Sequence, residues 1–270
     1  MDSDTTNTIT PPIEPAGETM PTRCPAQAGD GPLLPAWSSD KRSAPSAAFR
    51  GALFPSISRG KRTCVTNVEI FTVGHMRVRF SGERFDRSDL DVFMEIINAI
   101  KEQPERSEFA ADELLVSLNK GLTGAAHAWL QSVIARLTLG MVEIITPEQA
   151  YVGHLVESAS RCEADKHYVL RLNPEFMRLF QHGWSSLDME QRRTLKNPTA
   201  RAVHAYLSSH KNPGRHTIGT LASIAGIAGT NATPTIVKAL DELKEVGFLS
   251  RWEIVQDTVI LVLKAENDLR

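Results

Sequence analysis

From Val65 onward, apolar positions alternate between a helical period and a strand period, and the order of the two recurs once along the chain. "VEIFTVGHMRVRFSG" alternates on both sides of Gly74-His75 and predicts a hairpin. In "RSDLDVFMEIINAIKEQP", Leu90, Phe93, Ile96, Ile97 and Ile100 fall on one helical face, with Ser88 as the expected N-cap and Pro104 as the stop. "FAADELLVSLNKG" predicts a shorter helix ending at Gly121. "GAAHAWLQSVIARLTLG" predicts another, with Trp129, Leu130, Val133, Ile134 and Leu137 inward. "MVEIIT", "AYVGHLVESA" and "HYVLRLN" then read as three strands.

After Asn173-Pro174 the order returns. "PEFMRLFQ" and "SLDMEQRRTL" are short helical pieces, and "PTARAVHAYLSSH" carries Ala202, Val203, Tyr206 and Leu207 inward. "TIGTLASIAG" and "TPTIVKALDELKEVG" form a helix pair, and "FLSRWEIVQ" with "TVILVLK" closes as an antiparallel pair around Gln256-Asp257. The expected fold is α+β: two tandem winged-helix domains, over 65–172 and 173–270, each with three core helices and a β-wing.

Composition separates the N-terminal segment from this body. Residues 1–40 hold six acids against Arg23, many prolines and few large apolar residues, so they are expected to be a disordered tail. Residues 41–64 reverse the sign with Lys41, Arg42, Arg50, Arg59, Lys61 and Arg62. They read either as a solvated linker or as a basic arm lying along DNA phosphates, through Lys61 and Arg62 among others. Net charge is only −2, so a nucleic-acid surface must be local. Cys24, Cys64 and Cys162 show no zinc spacing, and their odd count argues against a disulfide framework. With a polar, acidic N-terminus and no apolar run of membrane length, the expectation is a cytoplasmic protein without a membrane partner.

No phosphate-binding loop, HExxH or GxSxG occurs, and no His-x-His pair accompanies a nucleophilic tyrosine. Tyr151, Tyr168 and Tyr206 each lie in an apolar pattern. The expectation is a protein that is not an enzyme and carries no cofactor or metal.

The candidate chemistry is nucleic-acid recognition. On "TPTIVKALDELKEVG", Ile236, Leu240 and Leu243 face inward. Thr233, Thr235 and Lys238, preceded by Asn231, lie on the other face near the N-terminal end. Helix-turn-helix proteins present those turns to base edges. Threonine and asparagine can bond bases, and a helix N-terminus favours phosphate. The competing reading is a solvated helix, for which Asp241, Glu242 and Glu245 speak. Ser208, Ser209, His210, Lys211, Arg215 and His216 cluster just before the pair, as a phosphate clamp or as an ordinary exposed loop. Arg251 on the first wing strand either reaches a groove or is solvated. In the first half, Thr123, His127 and Gln131 lie away from the apolar face of the equivalent helix, which reads equally as a packing or dimer-forming element.

Taken together, "LPAWSSDKRSAPSAAFRGALF", "FSGERFDRSDLDVF", "YVGHLVESASRCEADKHYVLRLNPEFMRLF", "SSHKNP" and "ALDELKEVGFLSRWEI" resemble the TrfA-type replication initiators of broad-host-range plasmids, over roughly 34–263. The resemblance implies two winged helices that bind direct repeats (iterons) in duplex DNA at an origin. It implies opening of an adjacent AT-rich region and recruitment of host DnaA, replicative helicase and sliding clamp. It also implies an inhibited dimer formed through the first winged helix. The family commonly carries arginines early in its last recognition helix, where this chain has Thr233, Pro234, Thr235 and Ile236, with Lys238 the basic residue there. The clamp peptide implied by the resemblance ends in Leu-Phe. Leu53-Phe54 in "GALF" and Leu179-Phe180 in "FMRLF" are the loose fits. A winged-helix transcriptional regulator and a protein-interaction adaptor are the other readings. Repeats beside an AT-rich stretch, one inverted repeat at a promoter, or no duplex binding would tell the three apart.

Overall fold

The computed structural model describes residues 34–57, 62–102, 108–147, 149–162, 166–211 and 214–263. The chain enters through strand β1 (Lys41–Pro45). A hairpin follows, β2 (Cys64–Ile70) and β3 (Arg77–Glu83), then helix α1 (Arg87–Glu102), β4 (Glu108–Ala110), α2 (Ala111–Ser117) and α3 (Gly124–Leu139). Strands β5 (Met141–Ile145), β6 (Ala150–His154), β7 (Val156–Arg161) and β8 (His167–Leu172) complete the first half. Next come α4 (Pro174–Met177), β9 (Trp184–Asp188), α5 (Met189–Thr194) and α6 (Pro198–Ser208). The second half ends with β10 (Arg215–Thr217), α7 (Ile218–Ala225), α8 (Ala232–Glu245), β11 (Leu249–Val255) and β12 (Thr258–Leu263).

The strands form four antiparallel sheets, ordered β1-β9, β2-β3-β5-β6, β4-β8-β7 and β10-β12-β11. The sequence stretch "AYVGHLVESA" predicts one strand, yet it breaks at Leu155 into β6 and β7, which serve different sheets. Leu155 is fully buried at that corner. The β11–β12 turn has Gln256 and Asp257 both at positive φ, 51° and 55°. That pairing of left-handed residues matches the twist of a two-residue hairpin.

Helix α1 is buried nearly all round rather than on one stripe. Leu90, Val92, Phe93, Met94, Ile96 and Ile97 are all 0% exposed. Its N-cap is Asp86, not Ser88: the Asp86 carboxylate accepts from the Ser88 and Asp89 amides at 2.7 and 3.2 Å. Pro104, the expected stop, lies outside the described residues. Burial forces the acids of α1 to find arginines. Asp89 accepts from Arg136 Nη2 at 2.7 Å and from Arg62 Nη1 at 2.9 Å. Asp91 pairs with Arg192, and Glu95 accepts from Arg42 Nε at 2.8 Å. Desolvation pushes the Asp89 and Glu95 carboxyls up, and the arginine bonds pull against it. One helix thus collects guanidinium groups from β1, the β2 approach, α3 and α5.

This arrangement changes the reading of the N-terminal segments. Trp37, within the stretch expected to be disordered, is 8% exposed and stacks on Phe180 at 6.0 Å. The described part of the basic stretch is no free arm. Strand β1 pairs with β9 from Lys41↔Asp188 to Pro45↔Trp184. Arg50 donates to the Ser209 carbonyl at 2.7 Å. The apolar residues alternating with these bases, Ala44, Phe49, Leu53 and Phe54, are buried. Phe176, Met177, Leu179, Phe180 and Leu187 also belong to this first core, although they follow the expected boundary at 173.

A second core is built from Leu195, Val203, Tyr206 and Leu207 with Leu221, Ile224, Ile236, Leu240, Leu243, Val259 and Leu261. Residues 50–57 strap the two cores together. The Ser56 amide donates to the Ala225 carbonyl at 2.9 Å. Gly226 closes α7 in the left-handed region, φ 71°, and a Cβ there would come 2.6 Å from the Pro55 Cβ. Only glycine satisfies both demands.

His204 on α6 is 1% exposed, edge-on to Phe248 of the second core at 4.6 Å, with neither ring nitrogen hydrogen-bonded. Burial, and secondarily the charge on Arg192, push its pKa down to about 3. The unfolded chain takes up this proton near pH 6.5. The folded chain refuses it until about pH 3. Stability is therefore lost as pH falls between those values. Denaturant melts at pH 7 and pH 4.5 are expected to show a smaller acid penalty in His204→Leu than in the unsubstituted protein.

Candidate nucleic-acid interface

Helix α8 stands on the second core through Ile236, Ala239, Leu240 and Leu243, each 0% exposed. Helix α7 holds it from the side, capped by Thr217, whose hydroxyl accepts from the Thr220 amide at 3.0 Å. Gly226 and Gly229, both at positive φ, reverse the chain between them. The N-terminal turns of α8 point their polar residues outward. Asn231, Thr233, Pro234 and Lys238 are exposed. The Asn231 side chain caps nothing, although it occupies the N-cap position. Among the described residues, Thr233 and Lys238 also have no side-chain partner. Thr235 differs: it is half-buried and its hydroxyl donates back to the Asn231 carbonyl at 2.6 Å. No acid occupies the first turn, so the positive end of the helix dipole is not offset there.

The acidic second half of α8 is not all solvated surface. Glu242 accepts from the backbone amides of Lys196 and Asn197 and so ties α8 to the start of α6. No periodicity marks that role, because the partner is a backbone amide of another element.

The cluster over 208–216 divides. Lys211 and Arg215 are exposed, and Arg215 lies on β10, a third strand where a loop was expected. Ser209 is 5% exposed and its hydroxyl donates to the Tyr206 carbonyl at 2.6 Å. His210 and His216 fold in around Tyr206, with ring centroids at 4.6 and 5.1 Å. Desolvation pushes the His210 imidazole down. Ser209, His210 and His216 are thus packing residues, and Ser208 is half-buried. Arg251 is exposed on β11, opposite Val262.

In the first half the candidates serve local structure. Thr123 is the N-cap of α3, accepting from the Ala126 amide at 3.2 Å. His127 pairs with Asp112 at 3.2 Å, and Gln131 accepts from Arg161 at 2.9 Å. Arg62 is bound to Asp86, Asp89 and the Arg84 carbonyl, which removes its charge from any phosphate. Lys61 lies outside the described residues. Leu53 and Phe54 are 2% and 0% exposed, so the "GALF" segment presents no peptide to a clamp. Leu179 and Phe180 are equally enclosed. The sites that remain open are Asn231, Thr233 and Lys238 on α8, with Lys211, Arg215 and Arg251.

The chain is similar in fold to a crystal structure of selenomethionine derivatives of domain 2 and domain 3 of RctB. That match has TM-score 0.53 and 10% identity, and covers 82% of this chain and 99% of that chain. A second crystal structure of RctB domains 2-3 matches at TM-score 0.48 and 11% identity, over 80% of this chain and 96% of that one. No protein-family model and no curated protein sequence matches the chain. No described helix is long and apolar enough to cross a membrane.

Proposed function

We propose that this chain is a plasmid-type replication initiator that binds direct repeats at an origin, with each half acting as a winged helix and α8 as the main reading helix. The observation that carries the reading is the open, acid-free N-terminal end of α8, where Asn231, Thr233 and Lys238 stand exposed on a helix packed into the second core. The resemblance to TrfA-type initiators over roughly 34–263 supports it, as does a fold shared with RctB domains 2 and 3 across 82% of the chain. Thr233 and Asn231 would meet base edges, and Lys238, Lys211, Arg215 and Arg251 would meet phosphates. Opening of an AT-rich region would draw on binding energy alone, without a catalytic step. Recruitment of DnaA, helicase and clamp, and an inhibited dimer, follow from the resemblance. A clamp contact would have to use a segment other than Leu53-Phe54.

The test is equilibrium binding to duplexes carrying the origin's direct repeats, across a salt series. Lys238→Ala is expected to weaken binding about fivefold to tenfold on every sequence and to lower the salt slope by about one. Thr233→Ala is expected to relax preference at one base position, by about 1–3 kcal/mol. Salt-insensitive binding, or affinity unchanged in both variants, would overturn the assignment of α8. Binding to one inverted repeat and not to direct repeats would replace the initiator with a regulator.

A further inference from the structure

Where α5 and α6 meet α1 and the α2–α3 turn, a cavity of about 160 Å³ opens between the two halves. Its polar lining is dominated by Lys120, Arg192, Arg193 and Arg201, against the single carboxylate Asp91, with the Ser88 hydroxyl on α1. Asp91 is already used: it pairs with Arg192 and lies 3.6 Å from Arg201. Arg192 is 1% exposed, and its Nη2 has no acceptor. Behind it, Arg87 is 4% exposed, with Nε and Nη2 also unmet. Burial, and then the charge on Arg192, push the Arg87 guanidinium down to about 9. The junction thus holds two buried guanidinium groups, Arg87 and Arg192, with three N–H groups lacking acceptors, which costs free energy while it is uncompensated. Arg192 Nη1, Arg193 Nη2 and Arg201 Nε donate to the carbonyls of Arg201, Ser117 and Leu195, bonds to neutral groups that leave the positive charge in place.

We propose that this cavity binds a compact phosphate-class dianion. Several features select that chemistry. Cations approach from three elements, α5, α6 and the α2–α3 turn, so the acceptor needs oxygens in more than one plane. Guanidinium forks match pairs of phosphate oxygens. Lys120, held 4.1 Å from the face of Trp129, supplies a point charge from the turn. The volume takes a phosphate group and a few waters, each water needing about 30 Å³. None of the residues proposed to read DNA lines the cavity. The site goes beyond the DNA-binding reading and does not depend on it. Its occupant joins α1 and the α2–α3 turn of the first half to α5 and α6 of the second.

The experiment uses the full chain in chloride buffer of constant ionic strength, titrated with inorganic phosphate and followed by calorimetry and thermal unfolding. One saturable site is expected, with Tm raised by about 4 °C or more at phosphate 100 times its Kd. Lys120→Gln combined with Arg193→Gln replaces two exposed side chains. The double variant gives up the exposed Arg193 bond to the Ser117 carbonyl and the Lys120 contact with Trp129, so its phosphate-free Tm is expected to fall by no more than about 4 °C, and it is expected to bind phosphate at least about tenfold more weakly. Lys120→Gln alone gives the same readout at smaller amplitude if the pair lowers that Tm. Duplex affinity in phosphate-free buffer is expected to be unchanged, which keeps this site separate from α8. No saturable phosphate binding, or the same binding in both variants, would overturn the proposal. Weakened duplex binding without any response to inorganic phosphate would overturn it too, and would give the cavity to a DNA backbone phosphate.

Discussion

Phe54→Ala is expected to destabilise the fold by about 3–5 kcal/mol, the cost of emptying a large aromatic site. Phe54 is 0% exposed and stacks on Phe85 at 5.4 Å, and Phe85 in turn meets Phe80 at 4.8 Å. Leu53 beside it is 2% exposed, and Pro55 after it abuts Gly226. The side chain therefore anchors the strap that joins the two cores, and its neighbours have little room to close over a void. The measurement is the denaturant midpoint at constant m-value. A Phe54 presented to a partner on the surface would leave that midpoint unmoved. An unmoved midpoint would thus refute the packing described above and restore the peptide reading of "GALF".

Asp89→Ala is expected to cost a similar amount, about 3–5 kcal/mol, for a different reason. Asp89 is 0% exposed and receives two nitrogens of Arg136 as well as one of Arg62. Desolvation of Asp89 already outweighs those bonds enough to raise its carboxyl, so the pair adds little net stability by itself. Its loss is costly because Arg136, 8% exposed, would be left charged in the core without its counter-ion. The double variant Asp89→Ala with Arg136→Met removes both charges and is expected to recover most of the loss. A double variant no more stable than Asp89→Ala alone would show that shape rather than charge governs the site.

Much of the architecture was legible in the apolar pattern because each core builds on helices of helical period. Leu90, Phe93, Ile96 and Ile97 on α1, and Ile236, Leu240 and Leu243 on α8, lie where the period puts them, all at 0% exposure. What the pattern missed was set by contacts distant in sequence. Lys41–Pro45 has too few large apolar residues to announce a strand, and it becomes one only because β9 offers it an edge. The bases of that stretch look like a phosphate-seeking arm, yet Arg42, Arg50 and Arg62 answer buried acceptors on other elements. Those acceptors, Glu95, the Ser209 carbonyl and Asp89, carry no local signal of being buried. Ser209, His210 and His216 misled in the same way: polar letters beside a proline read as loop, and Tyr206 draws them inward. On α8 the exposure of Asn231, Thr233 and Lys238 followed from the face opposite the apolar stripe, and the half-buried Thr235 was the exception.

The pairing of β1 with β9 has a consequence for how the chain is made. Ser43 meets its cross-strand partner Ser186 across 143 residues. At about 5–20 residues per second of synthesis, β1 waits roughly 7–30 s on the ribosome before that partner exists. Contacts of such long separation close late and slow the search. During that interval β1 has no strand to pair with, and the strap has no second core to dock on, because the Ser56 amide waits for the Ala225 carbonyl and Pro55 for Gly226. Chaperone demand for this protein should therefore peak before Asp188 emerges, and a stop shortly before β9 should yield a chain that aggregates rather than a smaller folded domain.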